Sequence, residues 1–258
     1  MKPKRIFNLL LVFALTLSVL AGCENSNQSN NTSDTQPATS IQATESTPDT
    51  VKETTDDNLA AAEKLLVDLT GSYQELWPVI LADKYEQTWL DNCTDLVGKE
   101  NAQASYEKLK SMVTGKVYGE DAVKAYADGN GVYDCDFTQG VDTLKFDGSS
   151  STISGYDADG KELFSHTYHY VGMENTRGLY EYKSDDADSG EFTYFCIAPD
   201  TSDTTYHIEL RYGSDLDALG QYDKGDYAYW LASGISTTYD ETMIKNCIKL
   251  FCTENLSE

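Results

Sequence analysis

The sequence predicts a mainly β domain with accessory helices, its strands laid out as an antiparallel meander or barrel. Three observations carry this. Apolar residues recur at helical spacing up to about Val113, at a period of two from about Val132 to Tyr212, and at helical spacing again beyond Thr238. The strand-like runs are short and separated by turn residues, which suits antiparallel neighbours joined by tight connections. Every Trp and Tyr lies beyond residue 58, so one core-bearing domain is expected over 58–258.

The first helix is read from Leu59, Ala62, Leu65, Leu66 and Leu69, and it stops at Gly71. A second carries Tyr85, Trp89 and Cys93. A third, over 101–113, aligns Tyr106, Leu109 and Val113 before Gly115 ends it. Leu144 and Phe146 then alternate with polar neighbours, and Ile153 leads into Asp157-Ala158-Asp159-Gly160, a hairpin turn. The next strand, 163–171, places Phe164, His166, Tyr168 and Tyr170 on one face. Further strands are expected over 179–183, 192–197 and 205–212. Thr238 and Glu241 form a capping box ahead of Met243, Ile244, Cys247, Ile248 and Phe251, an apolar stripe that reads as core packing.

Ahead of the domain, Lys2, Lys4 and Arg5 precede an apolar run from Ile6 to Leu20 and then Leu20-Ala21-Gly22-Cys23. This is the layout of a signal peptide over 1–23, since the apolar run falls short of the roughly 20 residues a spanning helix needs. The tetrapeptide resembles the bacterial lipobox, which implies that Cys23 becomes a lipidated N-terminus. Residues 24–57 hold Ile41 and Val51 but no aromatics, and are rich in Ser, Thr, Asn, Gln and Asp. Such a stretch cannot bury enough apolar surface to offset its chain entropy and reads as a disordered linker. The expected location is the extracytoplasmic face of the cell membrane, reached through the lipid anchor alone.

Removing residues 1–23 strips three positive charges and no negative ones, taking the formal net charge from -24 to about -27. Nucleic acid is thereby a poor partner, and none is expected. Beyond Cys23, five cysteines remain: Cys93, Cys135, Cys196, Cys247 and Cys252. They show neither a CxxC nor a zinc-finger spacing, so at most two disulfides, or a set of buried apolar thiols, is expected.

Several strings in shared order resemble the ZinT family, extracytoplasmic zinc-binding proteins that also occur as the C-terminal domain of some Gram-positive zinc-uptake lipoproteins. They are Leu69-Thr70-Gly71-Ser72-Tyr73-Gln74-Glu75-Leu76-Trp77-Pro78, Tyr168-His169-Tyr170-Val171-Gly172, Arg177-Gly178-Leu179-Tyr180-Glu181-Tyr182, Ala187-Asp188-Ser189-Gly190-Glu191-Phe192-Thr193-Tyr194, and Tyr206-His207-Ile208-Glu209-Leu210-Arg211-Tyr212-Gly213-Ser214-Asp215. The resemblance implies a lipocalin-like (calycin) antiparallel β-barrel, with zinc held near its mouth by three histidines, two of them in a His-x-His pair. It also implies a metal ABC transporter as partner.

Here the pair reads Thr205-Tyr206-His207, so only its second histidine is present. The upstream family histidine falls on Asp200 in one alignment and on Phe195 in another; only Asp200 could bind zinc. Along the strand, Thr205, His207, Glu209 and Arg211 share one face. The candidate metal ligands are therefore His207, Asp200 and Glu209, with Asp203 as a further carboxylate, and zinc is the expected ion. Against this stands the simpler reading of His207 as a structural hydrogen-bonding residue.

With one imidazole and carboxylate helpers, metal binding is expected to be weaker and less selective than at a three-histidine site, and to weaken as the imidazole protonates. His166 and His169, three apart on a strand, face opposite ways and cannot share one ion. The Asp185-Asp186-Ala187-Asp188 run lacks the ligand series of a calcium loop and reads as a solvated hairpin tip. No nucleophile-elbow or zinc-protease motif is present, so no enzymatic activity is expected. The alternative to a zinc binder is a barrel that has lost the metal and binds a small molecule or a protein. The 18 Tyr residues suit that as well as they suit barrel packing.

Overall fold

Eight strands close into one antiparallel barrel whose order around the wall follows the chain. The structure, a computed structural model, describes residues 49–198 and 207–257. The strands are β1 (Gly71–Glu75), β2 (Thr143–Asp147), β3 (Thr152–Tyr156), β4 (Glu162–Met173), β5 (Tyr180–Ser184), β6 (Tyr194–Ile197), β7 (Ile208–Gly213) and β8 (Ala232–Ser236). Closure comes from β1 pairing with β8, Tyr73 opposite Ser236 and Glu75 opposite Gly234. The mainly β, lipocalin-like barrel expected from sequence is the architecture observed.

Alternation along each strand separates two faces. Register joins Tyr73, Leu144, Gly155 and Phe164 across β1 to β4, and Tyr182, Phe195 and Tyr212 across β5 to β7. These positions face the barrel interior. There Phe195 stacks on Tyr212 at 5.1 Å between ring centroids, Tyr212 meets Trp230 edge-on at 5.1 Å, and Phe164 stacks on Phe192 at 3.8 Å. On β4 the expected face is correct: Phe164, His166 and Tyr168 are buried while Ser165, Thr167 and His169 are exposed. The β3–β4 turn is also as read, with Asp157 Oδ1 accepting the amides of Asp159 and Lys161 and Gly160 at φ 76°, where a side chain would be strained.

Helices cover part of the outside. They are α1 (Asp49–Asp68), α2 (Leu76–Ile80), α3 (Glu86–Val97), α4 (Lys99–Met112), α5 (Glu120–Ala127), α6 (Leu216–Leu219) and α7 (Glu241–Leu256). The first turns of α1 lie in the stretch assigned to the linker. Helices α3 and α4 join through Gly98 alone, at φ 83°. Trp89 of α3 packs on Tyr106 of α4 and edge-on against Phe251 of α7, and its indole N–H donates to the Ile80 carbonyl at 2.8 Å. Among the described residues no helix is long and apolar enough to cross a membrane.

One expectation is corrected. The C-terminal helix is capped by Asp240, whose carboxylate accepts the Met243 amide at 2.8 Å, and not by Thr238. The Ser236 hydroxyl holds Thr238 in the turn after β8, so the helix starts later. Glu241 instead accepts from Tyr85 Oη at 3.0 Å. The last predicted strand begins at Ile208 within the described residues; Thr205 and Tyr206 lie outside them.

Candidate functional site: a polar cluster between barrel wall and helix α7

On β7 the interior side chains are Ile208, Leu210 and Tyr212, so His207, just ahead of the strand, with Glu209 and Arg211 faces outward. That outer face is not left to solvent. Helix α7 lies over it, presenting Cys247, Leu250, Phe251 and Glu254, whose spacing places them on one helix face. Helix α2 adds Trp77 and Ile80. Between them remains a cavity of about 40 Å³, room for an ion or a few waters rather than an organic molecule.

Inside this cavity wall, His207 Nε2 lies 3.4 Å from Glu209 Oε1, with the two side chains 15% and 24% exposed. The Cys247 thiol is hydrogen-bonded to the same imidazole. The backbone beneath Glu209 is fixed on one side by its carbonyl accepting the Ala198 amide at 2.9 Å and on the other by pairing with Ser233. Burial works against a charged imidazole, but its hydrogen bonds to Cys247 and Glu209 and the Glu209 carboxylate outweigh it and hold the His207 pKa well above 6.5. For Glu209, burial acts upward, yet its bond to His207 and the charges of His207 and Arg177 leave the carboxyl below its ordinary value. The two form an ion pair.

Arg211, next on that face, is not part of the cluster. Its fully buried guanidinium donates to the carbonyls of Leu219, Gln221 and Tyr227 and sits 4.4 Å over the Tyr222 ring. It clamps the segment between β7 and β8 to the wall.

Of the residues proposed from sequence, His207 and Glu209 are brought together. Asp200, Asp203 and Cys23 lie outside the described residues. Phe195, the other alignment choice, faces the barrel interior among aromatics. Cys247 was legible only as one member of an apolar stripe; nothing in its spacing marks it as a neighbour of His207. His166 and His169 do point to opposite faces, each near an acidic partner: Asp186 at 3.0 Å and Asp185 at 3.6 Å. The tip carrying those acids is exposed at residues 185–188.

The donor types in the cluster, imidazole nitrogen, carboxylate oxygen and thiol sulfur, are those zinc takes. They are bonded to one another, and among the described residues no three His, Cys, Asp or Glu side chains form a ready-made metal site. The Trp77 indole N–H in the wall has no well-formed hydrogen bond and approaches the Cys135 sulfur.

An antiparallel eight-stranded barrel with a helical layer on its outside is thus the class of protein this chain represents. It is similar to the Zn(II)-bound ZinT-like domain of Streptococcus pneumoniae AdcA, with a TM-score of 0.45 and 15% identity over 72% of this chain and 89% of that one. It is also similar to Zn(II)-bound AdcA from Streptococcus pneumoniae, with a TM-score of 0.43 and 15% identity over 71% of this chain and 35% of that one, so it spans about a third of the length of the latter. No protein-family model and no curated protein matches.

Proposed function

We propose that this chain is a lipid-anchored extracytoplasmic protein that binds zinc or a similar divalent cation as cargo and supplies a metal ABC transporter. The ZinT-like strings in the sequence support the reading. The observation that carries it is the convergence of His207, Glu209 and Cys247 on one small cavity between β7 and α7. A cation entering there displaces the imidazole proton and takes over lone pairs now engaged within the cluster, so binding releases protons. Asp200, the ligand read from the sequence, is proposed to supply a further oxygen. The cavity's volume disfavours the alternative of an organic ligand.

Cys247 alters the expected selectivity. With carboxylates as the only helpers of His207, discrimination among metals would be poor, whereas a thiolate sulfur favours zinc over the oxygen-seeking calcium and manganese. The test is calorimetric titration of the full chain with zinc, manganese and calcium. Zinc is expected to bind best, with affinity reduced at least about tenfold in His207→Ala and Cys247→Ser and less in Asp200→Ala. Zinc binding unchanged in His207→Ala would place the site elsewhere in the chain, and no zinc binding by the wild type would reject the reading.

A further inference from the structure

The described residues include five buried cysteines, Cys93, Cys135, Cys196, Cys247 and Cys252, none joined in a disulfide. Their surroundings differ. Cys247 is bonded to His207, Cys135 lies beside Trp77, and Cys196 sits on the outer face of β6 opposite Arg211. Cys93 and Cys252 have each other. They lie together where α3 packs on α7, beside the contact of Trp89 with Phe251, and neither has any exposed surface. Cys93 follows Trp89 by one turn on the face of α3 that meets α7, and Cys252 follows Ile248 by one turn on α7.

We propose that Cys93 and Cys252 are a disulfide site that locks α7 onto α3. The two thiols share one face-to-face contact between packed helices, the placement that a disulfide requires. The oxidant is a small-molecule or protein disulfide. One thiolate attacks it to give a mixed disulfide and one leaving thiol. The second protein thiolate then displaces the other leaving thiol. One S–S bond breaks and one forms, the two cysteine protons end on the two leaving thiols, and the protein loses two electrons that the oxidant gains.

Timing follows from burial. Both thiols are pushed above their ordinary pKa by desolvation and are closed to reagents in the native state, so exchange there is slow. The bond forms as the chain folds, before α7 seats, and is shielded from reductants afterwards. Because α7 also carries Cys247, Phe251 and Glu254, the link fixes one wall of the polar cavity. The inference does not depend on that cavity binding a metal.

The experiment refolds the full chain from denaturant in a buffer of reduced and oxidised glutathione without metal, blocks free thiols under denaturing conditions, and maps the peptides. A Cys93–Cys252 linked peptide is expected, with Cys196 and Cys247 recovered alkylated. The bond closes a loop of about 160 residues, and the oxidised protein should melt about 5–15 °C above the reduced one. That difference should vanish in Cys252→Ser and persist in Cys196→Ser. Recovery of Cys93 and Cys252 as free thiols from the wild type, or linkage of either to another cysteine, would overturn the proposal without recourse to any variant.

Discussion

The two faces of β7 solve opposite problems with the same six-residue strand. Its inner face, with Leu210 and Tyr212, joins an aromatic core in which Tyr212 packs on Phe192, Phe195 and Trp230. Its outer face, with Glu209 and Arg211 and His207 just ahead, buries charge beneath α7 and the β7–β8 connection. Inner-face stability comes from apolar area and packing, which are non-directional and tolerant of modest shape change. Outer-face stability depends on each polar group finding its partner, since an orphaned buried charge costs several kcal/mol. On β7, packing is thus supplied by the inner face and ionisable groups by the outer one.

The largest expected effect breaks the inner face. Trp230 is almost fully buried against Tyr212, Tyr227 and Tyr118, with its indole N–H donating to the Asp136 carbonyl at 2.9 Å. Trp230→Ala should cost about 3–5 kcal/mol, read as a lower denaturant midpoint. It should leave the outer cluster intact if the variant still folds.

Next in size is the outer clamp. Arg211→Met keeps much of the side-chain bulk but leaves the Leu219, Gln221 and Tyr227 carbonyls without their donor. We expect a loss of about 2–4 kcal/mol, with faster hydrogen exchange confined to 216–231. Arg211→Lys should recover only part of this, because an ammonium cannot reproduce the planar fork. Full recovery by Lys would show that charge, rather than the fork, does the holding.

The smallest effect sharpens the boundary between the two regions. Asp134 lies on the segment that pairs with Trp230 and leads to Cys135, and it is 4% exposed. Burial, partly offset by the charge of Lys116, raises its carboxyl to about 6. A carboxyl whose folded pKa lies above its unfolded value of about 3.9 binds more protons folded than unfolded in that interval. Its contribution to stability thus falls as pH rises from about 4 to about 6 and stays low above. Asp134→Asn keeps the acceptor for the Asp136 amide, now 3.0 Å away, and removes the ionisation. The variant should be about 1–3 kcal/mol more stable than wild type at pH 7.5, with the difference shrinking toward pH 4. A difference independent of pH would assign the effect to something other than the carboxylate charge.

Much of the barrel was legible in the chain because its strands are long enough, or aromatic enough, to display a period of two. The alternation of Phe164, His166 and Tyr168 with Ser165, Thr167 and His169 reports a buried and a solvated face directly. Strands β1 and β8 were not legible. Gly71-Ser72-Tyr73-Gln74-Glu75 is short and polar, and Ala232-Ser233-Gly234-Ile235-Ser236 is small and buried on both faces, so neither alternates in hydrophobicity. They become strands by pairing with each other and with their neighbours, which closes the barrel.

By itself the sequence determined which residues are apolar, how they recur, and that His207 and Glu209 share a face, because strand geometry makes i and i+2 neighbours regardless of the rest of the fold. Only the tertiary structure decided that this face is roofed by α7 instead of bathed in water. It also chose Cys247 as the imidazole's companion from across 39 residues of chain, and Cys252 as that of Cys93. The physical reason is the same in each case. Contacts between elements distant in sequence depend on which surfaces the closed barrel leaves for the helices to cover, and no local periodicity encodes that choice.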